Sequence, residues 1–182
     1  MVVFLLKSSF LAAFVVLILF PGPSFARVGV KSGEDLIQQF CPKTRNGSLC
    51  VDLLNTDPRT HAAAHDLYGL AGATLQLAID RVAEMNAYTK TQLLLNTTTS
   101  KDAFMICSER LDTAISELSD ALVLLRKREY LDAINNTLNM KEEVFTCQGA
   151  FNRGGSPFQD RSYAVGVLND AIAVFLDLFV TD

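Results

Sequence analysis

The stretch KDAFMICSERLDTAISELSDALVLLR, residues 101–126, decides the fold. Phe104, Cys107, Leu111, Ala114, Ile115, Leu118, Ala121, Leu122 and Leu125 recur at steps of three and four. That period lines them along one side of an α-helix. Glu109, Arg110, Asp112, Ser116, Glu117 and Asp120 fall on the other side, and Ser100 stands where an N-cap belongs. A helix of this length with one apolar stripe needs other helices to cover it, so the stretch reads as one member of a bundle.

The same period recurs on either side. Thr60 to about Lys90 predicts a second long helix with Leu67, Leu70, Ala71, Thr74, Leu77, Ala78, Val82 and Met85 inward. Gly69 and Gly72 within it suit close approach of a neighbouring helix. A third helix is expected from about Glu129 to Gly149, with Tyr130, Ile134, Leu138, Val144 and Cys147 inward. The last follows the break Arg153-Gly154-Gly155-Ser156-Pro157, on a stripe of Tyr163, Val167, Leu168, Ala171, Val174, Phe175 and Leu178. Two short helices precede the four, one capped by Ser32 and running to Phe40, one from Ser48 to Asn55, ended by Asp57-Pro58. Strand-like alternation is absent. The expected fold is all-α, a four-helix bundle with an N-terminal helical hairpin.

The first residues read differently. Lys7 precedes an unbroken apolar run from Phe10 to Phe20, then Pro21-Gly22-Pro23 and the small-residue site Ser24-Phe25-Ala26. This is the order of a secretory signal peptide over residues 1–26. A membrane span needs roughly 20 apolar residues, more than this run supplies. Residues 27–182 then form one domain, with no membrane segment once the leader is gone. Without Lys7, 15 basic residues face 20 acidic ones. A nucleic-acid binder needs the opposite sign in a patch; Arg126-Lys127-Arg128 alone is too short.

Cys41, Cys50, Cys107 and Cys147 all lie past the leader. An even count in an exported chain points to disulfides, and four cysteines allow three pairings. Proximity favours Cys41–Cys50 with Cys107–Cys147, and each of those bridges joins segments that the helix assignment makes neighbours. Three N-x-S/T sequons, at Asn46, Asn96 and Asn135, suit a secreted glycoprotein. A glycosylated Asn must face solvent, so Asn135 is expected on an outward helix face.

Catalytic chemistry finds little support. His61 and His65 share a helix face at i, i+4, but no third ligand accompanies them, and they read as solvent-facing rather than as a metal pair. Glu142-Glu143 and the other carboxylates fall on polar helix faces. No nucleophile elbow, phosphate loop or Cys–His dyad occurs. Catalytic residues, metal ligands and cofactors are not expected. A small apolar-ligand carrier is a weaker reading, since the cluster Gly69, Ala71, Gly72 and Ala73 is explained more simply by close helix packing.

Several stretches together resemble the plant invertase and pectin methylesterase inhibitors. They are Asp35 to Cys41, Cys50 to Asp57-Pro58, a third cysteine inside a long helix, Cys147 to Asn152, and Ser156-Pro157-Phe158. The resemblance implies an up-down-up-down four-helix bundle with an N-terminal hairpin and first-to-second and third-to-fourth disulfides. It also implies a monomer that docks one-to-one into the substrate cleft of an acid invertase or a pectin methylesterase, in the cell wall or a vacuole. Invertase inhibitors of this family often carry Pro-Lys-Phe just after the third-cysteine helix. Here Lys127-Arg128-Glu129-Tyr130 stands there, with no proline, Glu129 at the lysine position and Tyr130 for the aromatic. These four residues are the candidate partner contact. Tyr130 also has a plain reading as an inward aromatic opening the third helix. The tail from Cys147 is more similar to the invertase branch. The competing reading is a non-inhibitory bundle of the same family, of the pollen or reproductive-tissue type.

Overall fold

The computed structural model describes residues 35–95, 100–151 and 155–181. The leader expected over residues 1–26, Ser32, Asn96 and the Arg153-Gly154 part of the last break lie outside them. Seven α-helices run through the described residues: α1 (Leu36–Phe40), α2 (Gly47–Thr56), α3 (Pro58–Ala62), α4 (Leu67–Leu95), α5 (Lys101–Lys127), α6 (Tyr130–Gly149) and α7 (Gln159–Val180). A 3₁₀ turn at Cys41–Lys43 links α1 to α2. The long helices α4 to α7 form a four-helix bundle: α4 packs on α5, α5 on α6, α6 on α7, and α7 closes the ring on α4. The all-α bundle is therefore the fold the apolar period implied.

The short helices are each started by a side chain that accepts from otherwise unpaired backbone N–H groups. Asp35 Oδ1 accepts from Ile37 N at 2.9 Å and Gln38 N at 3.3 Å, so the first helix begins three residues beyond the expected Ser32 cap. Asn46 Oδ1 accepts from Leu49 N at 3.1 Å to start α2. Asp57 Oδ1 accepts from Arg59 N and Thr60 N, with Pro58 in the first position of α3, where a missing N–H costs nothing. The single helix expected from Thr60 is broken between Ala62 and Leu67. The break serves the hairpin, because the Ala64 carbonyl accepts from Leu36 N at 2.8 Å and ties α1 down. Gly69 follows from the break too: a Cβ there would stand 2.5 Å from Asp66 Oδ2. Its glycine makes room for the chain's own restart, not for a neighbouring helix.

Both disulfides form, Cys41–Cys50 across the hairpin and Cys107–Cys147 between α5 and α6. The hairpin also docks on α7, where Phe40 meets Phe175 edge-on with ring centroids 6.4 Å apart. Nearby, Asp170 accepts from Arg45 Nε at 2.6 Å and Nη2 at 2.7 Å. Burial works to raise the Asp170 pKa, but the hydrogen bonds and charge of Arg45 prevail and hold it below the ordinary carboxylate value. A carboxylate with a depressed pKa stabilises above its unfolded value and loses that contribution as pH falls through its folded value. The hairpin link should therefore hold at weakly acidic pH and loosen only below about pH 4. In urea melts between pH 5 and pH 2, Asp170→Asn should start lower and fall less steeply with acid than the unaltered chain. Parallel curves would remove Asp170 from the acid response.

The buried stripes differ in detail from the apolar count. On α6 the inner positions are Ala133, Thr137, Met140, Val144 and Cys147, and Leu138 points outward. On α7 Ser162 and Asn169 are buried while Tyr163 is exposed. Threonines enter the core because each hydroxyl donates to a carbonyl of its own helix, as Thr74 does to Leu70, Thr89 to Met85 and Thr137 to Ile134. Ser100 precedes α5 without a side-chain cap bond. By length and mean hydropathy α7 resembles a membrane span, but half of its apolar window is buried in the bundle. That is the mark of a core helix.

At the end of the bundle where α7 begins, Phe158 N donates to Ser156 Oγ at 3.1 Å, which turns the chain at Pro157 and drives Phe158 inward. There it meets Tyr88, Phe104 and Phe151, all with centroids within 6.4 Å. Ser156-Pro157-Phe158 thus works as a packing device that closes this end.

Candidate functional site

The opposite end carries the α5–α6 corner, where the four candidate contact residues sit. Helix α5 stops because Arg128 adopts a left-handed conformation, φ 64°. Arg128 N donates to the Leu125 carbonyl and Glu129 N to the Leu124 carbonyl, each at 3.0 Å. This paired closure satisfies the last carbonyls of the helix. Glycine usually fills the position, since a side chain there is disfavoured. Among the described residues Arg128 is the sole non-glycine with positive φ. Such outliers concentrate where function holds them.

Lys127, Arg128 and Glu129 are exposed and turn their charged heads to solvent together with Arg126. Tyr130 does not join them. Its ring is half-buried and stacks on Phe179, centroids 4.7 Å apart and planes 17° from parallel. Phe179 in turn takes Tyr68 edge-on at 6.4 Å, and the Tyr68 hydroxyl donates to the Leu125 carbonyl at 3.5 Å. Tyr130 is therefore the inward aromatic of the plain reading, anchored to the last turn of α7 and to the start of α4. Above it lies a cleft of about 310 Å³ lined by Arg128, Glu129, Tyr130, Leu131, Asp132 and Val180. The corner is thus shallowly concave, with Arg128 on the cleft wall and exposed Arg126 and Lys127 just before it.

Leu131, Val180, Tyr68 and Phe179 were not singled out in the sequence. The up-down topology brings them in, because it sets the C-terminal turn of α7 beside the α5–α6 turn. Asp57 and Asp80 both hold Arg59, at 2.7 Å each, and Asp112 pairs with Lys90 at 3.0 Å. Lys90, through its side-chain hydrogen bond, holds Asp112 below its usual pKa. Arg59–Asp80 and Lys90–Asp112 tie neighbouring helices on the surface, while Asp57–Arg59 closes the start of α3 on itself. Glu143 pairs with Arg110 on α5 at 3.2 Å, so Glu142 and Glu143 do not converge as an acid/base pair. His61 and His65 are exposed, and no group of three or more His, Cys, Asp or Glu converges among the described residues. Of the sequons, Asn135 faces solvent on α6, and Asn46 is half-buried as the α2 cap, with Nδ2 donating to the Tyr163 hydroxyl at 3.4 Å.

The profile of the plant invertase/pectin methylesterase inhibitor family matches residues 35–174, nearly the whole described region. The chain belongs to that family. It is 33% identical over 156 residues to a pectinesterase inhibitor of Actinidia deliciosa, covering 80% of this chain and 78% of that one. It is 31% identical over 131 residues to the cell wall / vacuolar inhibitor of fructosidase 1 of Arabidopsis thaliana, covering 69% and 60%. Two crystal structures share its fold at 21% identity. A mutant form of a pectin methylesterase inhibitor from Arabidopsis superposes with a TM-score of 0.70 over 79% of this chain and 97% of that one. A pectin methylesterase inhibitor from Arabidopsis thaliana gives 0.59 over 78% and 93%. Members of this inhibitor family are not enzymes themselves, and this chain is an enzyme inhibitor by membership.

Proposed function

We propose that the chain is exported into the cell wall space and inhibits a pectin methylesterase by steric occlusion, the α5–α6 end of the bundle covering the enzyme's substrate cleft. The observation that carries the mechanism is the corner itself: a solvent-facing edge with charged heads beside a shallow cleft floored by Tyr130, Leu131 and Val180. The relative named a pectinesterase inhibitor, which this chain matches over most of both lengths, supports the target. The charge of the corner favours a second target, an acid invertase. A glycoside hydrolase carries a pair of carboxylates in its cleft, and Arg126, Lys127 and Arg128 suit an acidic rim. The relative named an inhibitor of fructosidase supports that reading.

Either complex should bury about 1,600 Å² and depend on a few central anchors. The variant Lys127→Ala, Arg128→Gly, Glu129→Ala removes the heads and keeps the turn, because glycine is at ease in the left-handed position. Circular dichroism should be unchanged, while the inhibition constant rises about tenfold or more, as for loss of a contact that contributes over 1.4 kcal/mol. An unchanged constant in a folded sample removes the corner from the interface.

A further inference from the structure

Helix α6 carries two large aliphatic side chains outward, Leu131 at 60% exposure and Leu138 at 44%. Exposed Asn135 lies between them, four residues after one and three before the other. On a helix those spacings place all three on one face, neighbouring Cβ atoms about 5–6 Å apart. Asn135 also opens the sequon Asn135-Asn136-Thr137. We propose that Asn135 carries an N-linked oligosaccharide and that this glycan covers the Leu131–Leu138 stripe. The inference rests on the export reading above.

The modification forms a bond between Asn135 Nδ2 and the anomeric carbon of an oligosaccharide delivered as a lipid diphosphate. The bond from that carbon to the diphosphate oxygen breaks, the lipid diphosphate leaves, and the amide gives up one proton. Transfer precedes folding of α6. In the folded helix the Thr137 hydroxyl, which completes the acceptor sequence, is fully buried and donates to the Ile134 carbonyl at 2.8 Å. Folding then seals Thr137 inside and leaves the modified Asn135 outside. A bulky, solubilising group at that point lays its sugar rings over two leucines that are otherwise open to water. Leu131 also forms one wall of the corner cleft. The stripe that the glycan covers therefore borders the corner cleft, with the glycan root one helical turn from Leu131.

The test is export of the full chain from plant cells, once with its own first 26 residues and once with a heterologous leader in their place. Peptide mass spectrometry should find Asn135 modified in the exported product, with treatment by a peptide N-glycanase converting it to aspartate. Asn135→Gln, at an exposed position, should lose one glycan mass without loss of folding. Enzymatic removal of the glycan should raise binding of an apolar-surface dye about two-fold. The variant Leu131→Ser, Leu138→Ser of the glycan-free protein should cancel that rise. An exported chain with an unmodified Asn135 peptide overturns the proposal, as does dye binding that ignores removal of the glycan. Retention of only the chain with its own leader counts against the export reading and leaves the Asn135 assignment to be judged on the other product.

Discussion

Replacing Cys107 and Cys147 together by alanine should destabilise the bundle by about 4 kcal/mol in the chain-entropy model, against about 2.5 kcal/mol for Cys41 and Cys50. The difference comes from the ring closed in the unfolded chain, 40 residues for the first bridge and 9 for the second. The longer ring also spans the α5–α6 corner, so cutting it releases the very segment that carries the contact edge. All four cysteines are wholly buried, so the small cavities left by the lost sulfurs add a similar cost to both variants. For a domain whose total stability is about 5–15 kcal/mol, the loss is large. Urea unfolding of the two double variants should show the Cys107/Cys147 midpoint well below that of the Cys41/Cys50 pair. Equal midpoints, or the reverse order, would mean that native packing rather than ring length sets the contribution.

Phe158→Ala should cost about 3–5 kcal/mol, in the range of buried aromatic truncations that leave a cavity. Phe158 is fully buried and touches three other rings from three different segments, Tyr88 of α4, Phe104 of α5 and Phe151 after α6. The neighbours cannot collapse into the gap without shifting the starts of both α5 and α7. Near-UV circular dichroism and the denaturation midpoint should both fall, while Leu94→Ala, at an 85% exposed position, should change neither. A small effect at Phe158 would show that this end of the bundle is loosely held.

The long helices were legible because each carries enough apolar residues at the helical period to define a face. The cysteine residues alone left three pairings open; sequence proximity favoured the observed one and the family resemblance implied it. What escaped was set by tertiary contact. The break before Leu67 exists because Leu36 needs the Ala64 carbonyl, which nothing local to that stretch announces. Thr137, Ser162 and Asn169 are polar by type yet lie inside, so a count of apolar residues put Leu138 and Tyr163 in their place. At the corner, the segment Lys127 to Tyr130 was found by resemblance, but its shape was not. A left-handed arginine and a tyrosine stacked on Phe179 make it a shallow concave edge.

Titration of the oxidised, folded chain into a pectin methylesterase and an acid invertase in parallel, at pH 5 and pH 7, tests the central claim most directly. Dose-dependent loss of one activity that saturates at one chain per enzyme is the predicted result. A chain with both disulfides intact and native circular dichroism that leaves both activities untouched would contradict it, and would favour a bundle of this family that binds without inhibiting.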